Sequence, residues 1–160
     1  MKTLYLVRHA KASHDNEWLT DWERPLTPTG SSRAERIAKK LRKKKVKPSK
    51  ILSSHAFRAL NTAVIFAVNL DYPVSSIELS SNLYESASGI IDVLKKQADS
   101  LASIMIFGHN PSMSKLLDKL SKKKNKELST SAVACIQFEM DKWGNIDKIA
   151  GKIMFTETDK

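Results

Sequence analysis

Two arginines and two histidines stand in short segments that each follow an apolar, strand-like run. Arg8-His9 closes Lys2 to Val7, Ser54-His55 with Arg58 follows Ile51-Leu52, and His109-Asn110 follows Ser103 to Gly108. An arginine presents a planar fork of donors that matches phosphate oxygens, and its charge persists at physiological pH. A neutral imidazole held in line can attack phosphorus, while a second, protonated one steadies the equatorial oxygens. Arg8, His9, Arg58 and His109 together therefore point to a phosphate site and to phosphoryl transfer onto nitrogen. This chemistry requires no metal, and these segments lack the carboxylate clusters and paired-histidine spacing of metal sites, so no cofactor is expected. Taken singly, each of these residues reads more readily as a hydrogen-bonded structural group than as a catalyst. Only the joint pattern carries the chemistry.

The elements that must bring these segments together alternate along the chain. Strands are expected at 2–8, 51–54 and 103–108, with a weaker candidate at 74–79 after Pro73. Helices are expected at about 31–44, where Ala34, Ile37, Ala38 and Leu41 recur at helical spacing behind Thr27-Pro28-Thr29-Gly30, and at 56–69, about 87–99 and from Pro111 through Leu120. Two final strands, 132–140 and 148–155, are joined near Gly144-Asn145. This order implies an α/β fold, a mostly parallel sheet with helices on both faces and an antiparallel edge hairpin near the C-terminus. In such sheets ligands bind beyond the carboxyl ends of the strands, where the arginines and histidines fall.

A length of 160 residues fits one domain, expected to span 1–160. A single cysteine, Cys135, rules out an internal disulfide and a cysteine-based zinc site, which favours a cytoplasmic location. With 27 Lys and Arg against 17 Asp and Glu, the net charge of +10 favours acidic or phosphorylated partners. The basic runs Lys39–Lys50 and Lys122–Lys126 have no interleaved aromatics, so they read as solvated lysines and no nucleic-acid partner is expected. The apolar stretch of the N-terminus ends at Arg8, too short for a signal-peptide core or a membrane span, and no membrane association is expected.

Four motifs resemble the histidine phosphatase superfamily, which is phosphoglycerate mutase-like in fold, and more narrowly its SixA-type phosphohistidine phosphatases. They are Leu6-Val7-Arg8-His9-Ala10-Lys11, Arg24-Pro25-Leu26-Thr27 with Gly30, Ser53-Ser54-His55-Ala56-Phe57-Arg58-Ala59 with Thr62-Ala63, and Gly108-His109-Asn110-Pro111. The resemblance implies that His9, in an Arg-His-Ala form of the family's Arg-His-Gly motif, is the nucleophile, with Arg8, Arg58 and His109 around the phosphate. It places Arg24 near the catalytic rim, where it orients the pocket, meets substrate or holds its loop. Leu83-Tyr84-Glu85 resembles the segment that supplies a proton donor, which makes Glu85 the candidate general acid. His55 stands where the family often has proline and is expected to be an exposed loop residue, while His14 gains no catalytic role.

His109 follows Arg58 by only 51 positions, and that stretch must hold a helix, a strand and another helix, which leaves little chain for the lid that mutase-like members insert. An open pocket suits a phosphorylated side chain, so phosphohistidine on a protein is the expected substrate. A phosphatase of small phosphate esters or phosphoramidates is the alternative enzyme, and a catalytically weak phosphoprotein-binding module the alternative of another class.

Overall fold

A computed structural model describes residues 1–159; Lys160, the last residue of the expected 1–160 domain, lies outside the described residues. Six strands form one sheet: β1 (Lys2–Arg8), β2 (Lys50–Ser53), β3 (Glu78–Leu79), β4 (Ser103–Gly108), β5 (Val133–Phe138) and β6 (Lys152–Glu157). Their order is β3-β2-β4-β1-β5-β6. The first four run parallel, and β5 pairs antiparallel with both β1 and β6. The helices are α1 (Pro28–Lys43), α2 (Phe57–Asn69), α3 (Ala87–Lys95) and α4 (Ser112–Ser121).

The side chains of the central strands divide by twos between the faces, as a pleated strand requires. Leu4, Leu6, Ile104 and Ile106 join a core with residues of α3, α4 and Trp143. Val7, Met105 and Phe107 join the opposite core, with α1 and α2. Because both faces are covered, β1 and β4 read as continuous apolar runs, and they end side by side with Arg8 opposite Gly108. That register places His9 beside His109, and the His9 N–H donates to the Gly108 carbonyl at 3.0 Å.

Element boundaries differ from the sequence pattern where side chains act at a terminus. Helix α1 begins at Pro28 because the Thr27 hydroxyl accepts the Gly30 N–H, a serviceable N-cap. The 74–79 segment mostly coils into a short 3-10 turn, Val74–Ser76, leaving two residues to pair with β2. Helix α3 stops at Lys95 and the chain turns away, so that Asp99 accepts the Trp143 N–H at 2.9 Å and its carbonyl takes the Lys2 ammonium. The final strand starts later than expected, at Lys152, after another 3-10 turn at Trp143–Asn145. Much of the basic run at 39–50 is paired, with Lys39 on Glu35, Lys40 on Glu157, Arg42 on Asp71 and Lys50 on Glu78. No helix among the described residues is long and apolar enough to cross a membrane.

Candidate active site

A cleft of about 350 Å³ opens beyond the carboxyl ends of β1, β2 and β4, and its walls include Arg8, His9, Arg24, Arg58 and His109. Five of the six residues singled out from the sequence thus meet in one place. Lys11, His14, Asn110 and Thr130 also line it. Glu85 does not: it is exposed, its carbonyl accepts a hydrogen bond from the Ser112 hydroxyl, and its carboxylate lies over the first turn of α3 near Gly89. His55 is exposed, as expected.

The backbone that presents His9 is pinned from two sides. The Ala10 N–H donates to Thr62 Oγ1 at 2.9 Å, and that hydroxyl donates to the Arg58 carbonyl at 2.7 Å, tying the loop after β1 to the first turn of α2. Opposite, the Ser131 N–H reaches the carbonyls of both Arg8 and His9, at 3.1 and 3.2 Å. Ser131 adopts a left-handed conformation, φ 66°, to make that turn.

The hydrogen bonding of His9 sets its chemistry. Its Nδ1 lies 2.7 Å from the Ala10 carbonyl oxygen. A carbonyl can only accept, so Nδ1 carries the proton and the lone pair of a neutral ring resides on Nε2. Burial, reinforced by the Arg58, Arg8 and Arg24 charges and opposed by the Ala10 bond, pushes the His9 pKa down to about 4. His9 is therefore neutral at physiological pH.

His109 is 5.1 Å from His9, ring centre to ring centre. Its Nε2 is hydrogen-bonded to Ser54 Oγ at 2.9 Å, and that hydroxyl also accepts the Ala56 N–H. Burial first, then His9 and the nearby guanidiniums, lowers the His109 pKa to about 3. The sequence pattern suggested a charged second imidazole; desolvation favours its neutral form. A bound dianion would raise the value again, because an opposite charge favours the protonated form.

Arg58 is buried beneath a network the sequence did not disclose. Its Nη1 donates to the Asp21 carbonyl at 2.6 Å and its Nη2 to Asp21 Oδ2 at 3.0 Å. Arg24 Nη1 donates to Asp21 Oδ1 at 3.1 Å, and the Tyr84 hydroxyl donates to Oδ2. The Tyr84 hydrogen bond, with those of Arg58 and Arg24, holds the Asp21 carboxyl well below the usual carboxylate range. Arg24 also donates to the Ser13 carbonyl at 3.0 Å and to His14 Nε2 at 2.7 Å, so it braces the loop as well as facing the cleft. Arg8 donates to the Leu128 carbonyl at 2.9 Å. Among the described residues, the buried Arg8 Nε, Arg58 Nε and His109 Nδ1 find no hydrogen-bond partner; all three belong to cleft residues, and the two Nε–H groups are donors. Leaving such donors unmet costs roughly 1–3 kcal/mol each, a cost that an anion in the cleft offsets.

These features place a neutral imidazole with a free Nε2 lone pair beside three guanidiniums and a second imidazole. No group of three or more His, Cys, Asp or Glu among the described residues is arranged to hold a metal ion. Residues 4–104 match the model of the histidine phosphatase superfamily, branch 1. The chain belongs to that superfamily. The matched stretch contains His9, Arg24 and Arg58, while His109 lies beyond it, so the place of His109 rests on the sheet geometry. An uncharacterised chloroplast protein of Arabidopsis thaliana is 27% identical over 94% of this chain and 72% of its own length. Among solved structures, the protein histidine phosphatase SixA complexed with tungstate superposes with a TM-score of 0.84 at 23% identity, over 98% of this chain and 97% of that one. A mycobacterial glucosyl-3-phosphoglycerate phosphatase superposes with a TM-score of 0.71 at 12% identity, over 96% and 97%. The fold is that of histidine phosphatases, and membership of the superfamily supports phosphatase activity. The same architecture serves phosphatases with different substrates, so the choice among substrates must come from the cleft itself.

Proposed function

We propose that this chain, acting as one catalytic domain, hydrolyses phosphohistidine on proteins by passing the phosphoryl group through Nε2 of His9. The carrying observation is the Nδ1–H to Ala10 hydrogen bond, which leaves the Nε2 lone pair of a neutral ring free to attack. In the first step that lone pair forms a bond to phosphorus while the bond from phosphorus to the substrate nitrogen breaks. Arg8, Arg58 and His109 carry the charge of the equatorial oxygens. In the second step water attacks the phosphoryl group on His9, inorganic phosphate leaves, and the ring returns to its neutral state. Two in-line displacements give net retention at phosphorus.

The substrate class follows from the leaving group. None of the ten residues that line the cleft is a carboxylate. Asp21, just outside, is held ionised by its three donors and has no proton to give. An alkoxide needs such a proton, whereas an imidazole protonated on its far nitrogen departs as a neutral ring. SixA, the structural neighbour, is a protein histidine phosphatase, which agrees with this choice. Turnover of a phosphohistidine protein, an aryl phosphate and an alkyl phosphate by the purified chain tests it. Phosphohistidine is expected to give the highest kcat/KM and the alkyl ester the lowest, and an alkyl ester turned over as fast as phosphohistidine would contradict the assignment.

A further inference from the structure

Three aromatic rings line up away from His109, outside the residues that line the cleft. The Tyr84 ring stands edge-on to His109, 4.7 Å between centres. Trp22 stacks on Tyr84 at 4.3 Å, nearly parallel, and His55 lies tilted 6.4 Å beyond Trp22. Trp22 is 39% exposed and His55 is exposed as well, so both keep ring surface in contact with solvent, one and two rings beyond Tyr84.

The wall is rigid. Tyr84 is fixed by its hydroxyl on Asp21 and by the Arg58 guanidinium 5.8 Å from its ring centre. Trp22 occupies the middle of a 3-10 turn, Asp21–Glu23, that is closed at its start by Thr20, whose N–H and hydroxyl both donate to the Glu23 carboxylate. Asp21, on one side of Trp22, is held by Arg58 and Arg24. Trp22 is thus carried on a turn whose neighbouring residues are fixed, with its ring stacked on Tyr84. A ring pre-positioned by that stack lowers the entropy cost of using it to hold a ligand.

We infer that Trp22, backed by Tyr84 and extended by His55, is the leaving-group platform that selects substrates whose phosphoryl group departs from a planar ring. This rests on the proposed phosphohistidine activity. In-line attack by His9 Nε2, with the equatorial oxygens on Arg8, Arg58 and His109, sends the leaving ring outward from the cleft, where stacking and cation-π contact with Trp22 favour a bound phosphohistidine whose flat ring is protonated on its far nitrogen. The adjacent Asp21 carboxylate offsets the repulsion that three nearby arginines would exert on that cation. Tyr84, already covered by Trp22, is a positioning residue for the platform.

The test compares phosphohistidine with phosphoramidate, which share the phosphorus–nitrogen bond and differ in the ring. Trp22→Leu is expected to lower the ratio of kcat/KM for phosphohistidine over phosphoramidate about tenfold, mainly through KM, as expected for one lost aromatic contact. Trp22→Phe should recover most of it, and His55→Ala should lower the ratio about threefold. An unchanged ratio in Trp22→Leu overturns the inference, whether both rates are intact or both fall together through damage to Asp21 and Arg58. If the wild-type chain turned over aryl phosphates with the same dependence on Trp22 but did not turn over phosphohistidine, the platform would stand and the assignment of substrate would fall.

Discussion

Lowering the pH probes the candidate nucleophile directly. An ordinary imidazole with a pKa near 6.5 is about 91% protonated at pH 5.5, which leaves about 9% able to attack. With its value pushed down to about 4, His9 is only about 3% protonated at that pH, so about 97% of the nucleophile survives. The difference is roughly tenfold in the competent population. Two-dimensional NMR of the imidazole C–H signals, from pH 7.5 to 4 without phosphate, reads it independently of the substrate's own ionisation. Midpoints below pH 5 are expected for both His9 and His109, and added tungstate should move them upward. The same depression predicts the sign of the stability change. The unfolded chain takes up protons near pH 6.5 and the folded chain does not, so stability is greatest above that pH and declines as the pH falls toward about 4. The slope is at most about 1.4 kcal/mol per pH unit for each histidine. A His9 midpoint at 6.5 would refute the burial argument.

Three further outcomes follow from named contacts. Gly30→Ala places a Cβ 2.2 Å from the Lys11 carbonyl oxygen, so it should cost about 2–4 kcal/mol in chemical denaturation and disturb the cleft wall to which Lys11 belongs. Arg58→Lys keeps the charge but loses the fork that spans the Asp21 carbonyl and carboxylate, and steady-state kinetics should show at least about a hundredfold fall in kcat/KM. Because Glu85 lies outside the cleft lining, Glu85→Gln should change phosphohistidine turnover less than about threefold; a loss of a hundredfold, the size expected of a positioned acid, would assign it the proton after all.

The positions of Arg8, His9 and His109 were legible because β1 and β4 are apolar on both faces, which marks their carboxyl ends plainly. Helix α1 was legible from Ala34, Ile37, Ala38 and Leu41, all buried in the structure. The 74–79 segment was not, since its residues are mostly exposed and only Glu78–Leu79 find a partner strand. The network around Arg58 was equally hidden. Asp21 sits in an exposed turn where a carboxylate is ordinary, and its contact with Tyr84 joins positions 63 residues apart. Its spacing three before Arg24 was the one local signal, and an i,i+3 ion pair seldom distinguishes a site from a surface. The neutrality of His109 was also beyond the sequence, because it depends on burial that only the assembled sheet provides.

The most direct measurement is a rapid quench of the full chain with a phosphohistidine protein labelled at phosphorus. Label is expected within the first turnover on the peptide that contains His9, as an adduct stable to base and lost in acid, and His9→Ala should abolish it while tungstate still binds through Arg8 and Arg58. Label on a serine or an aspartate, or turnover with no label on the chain at any time, would contradict the assignment of His9 as the nucleophile.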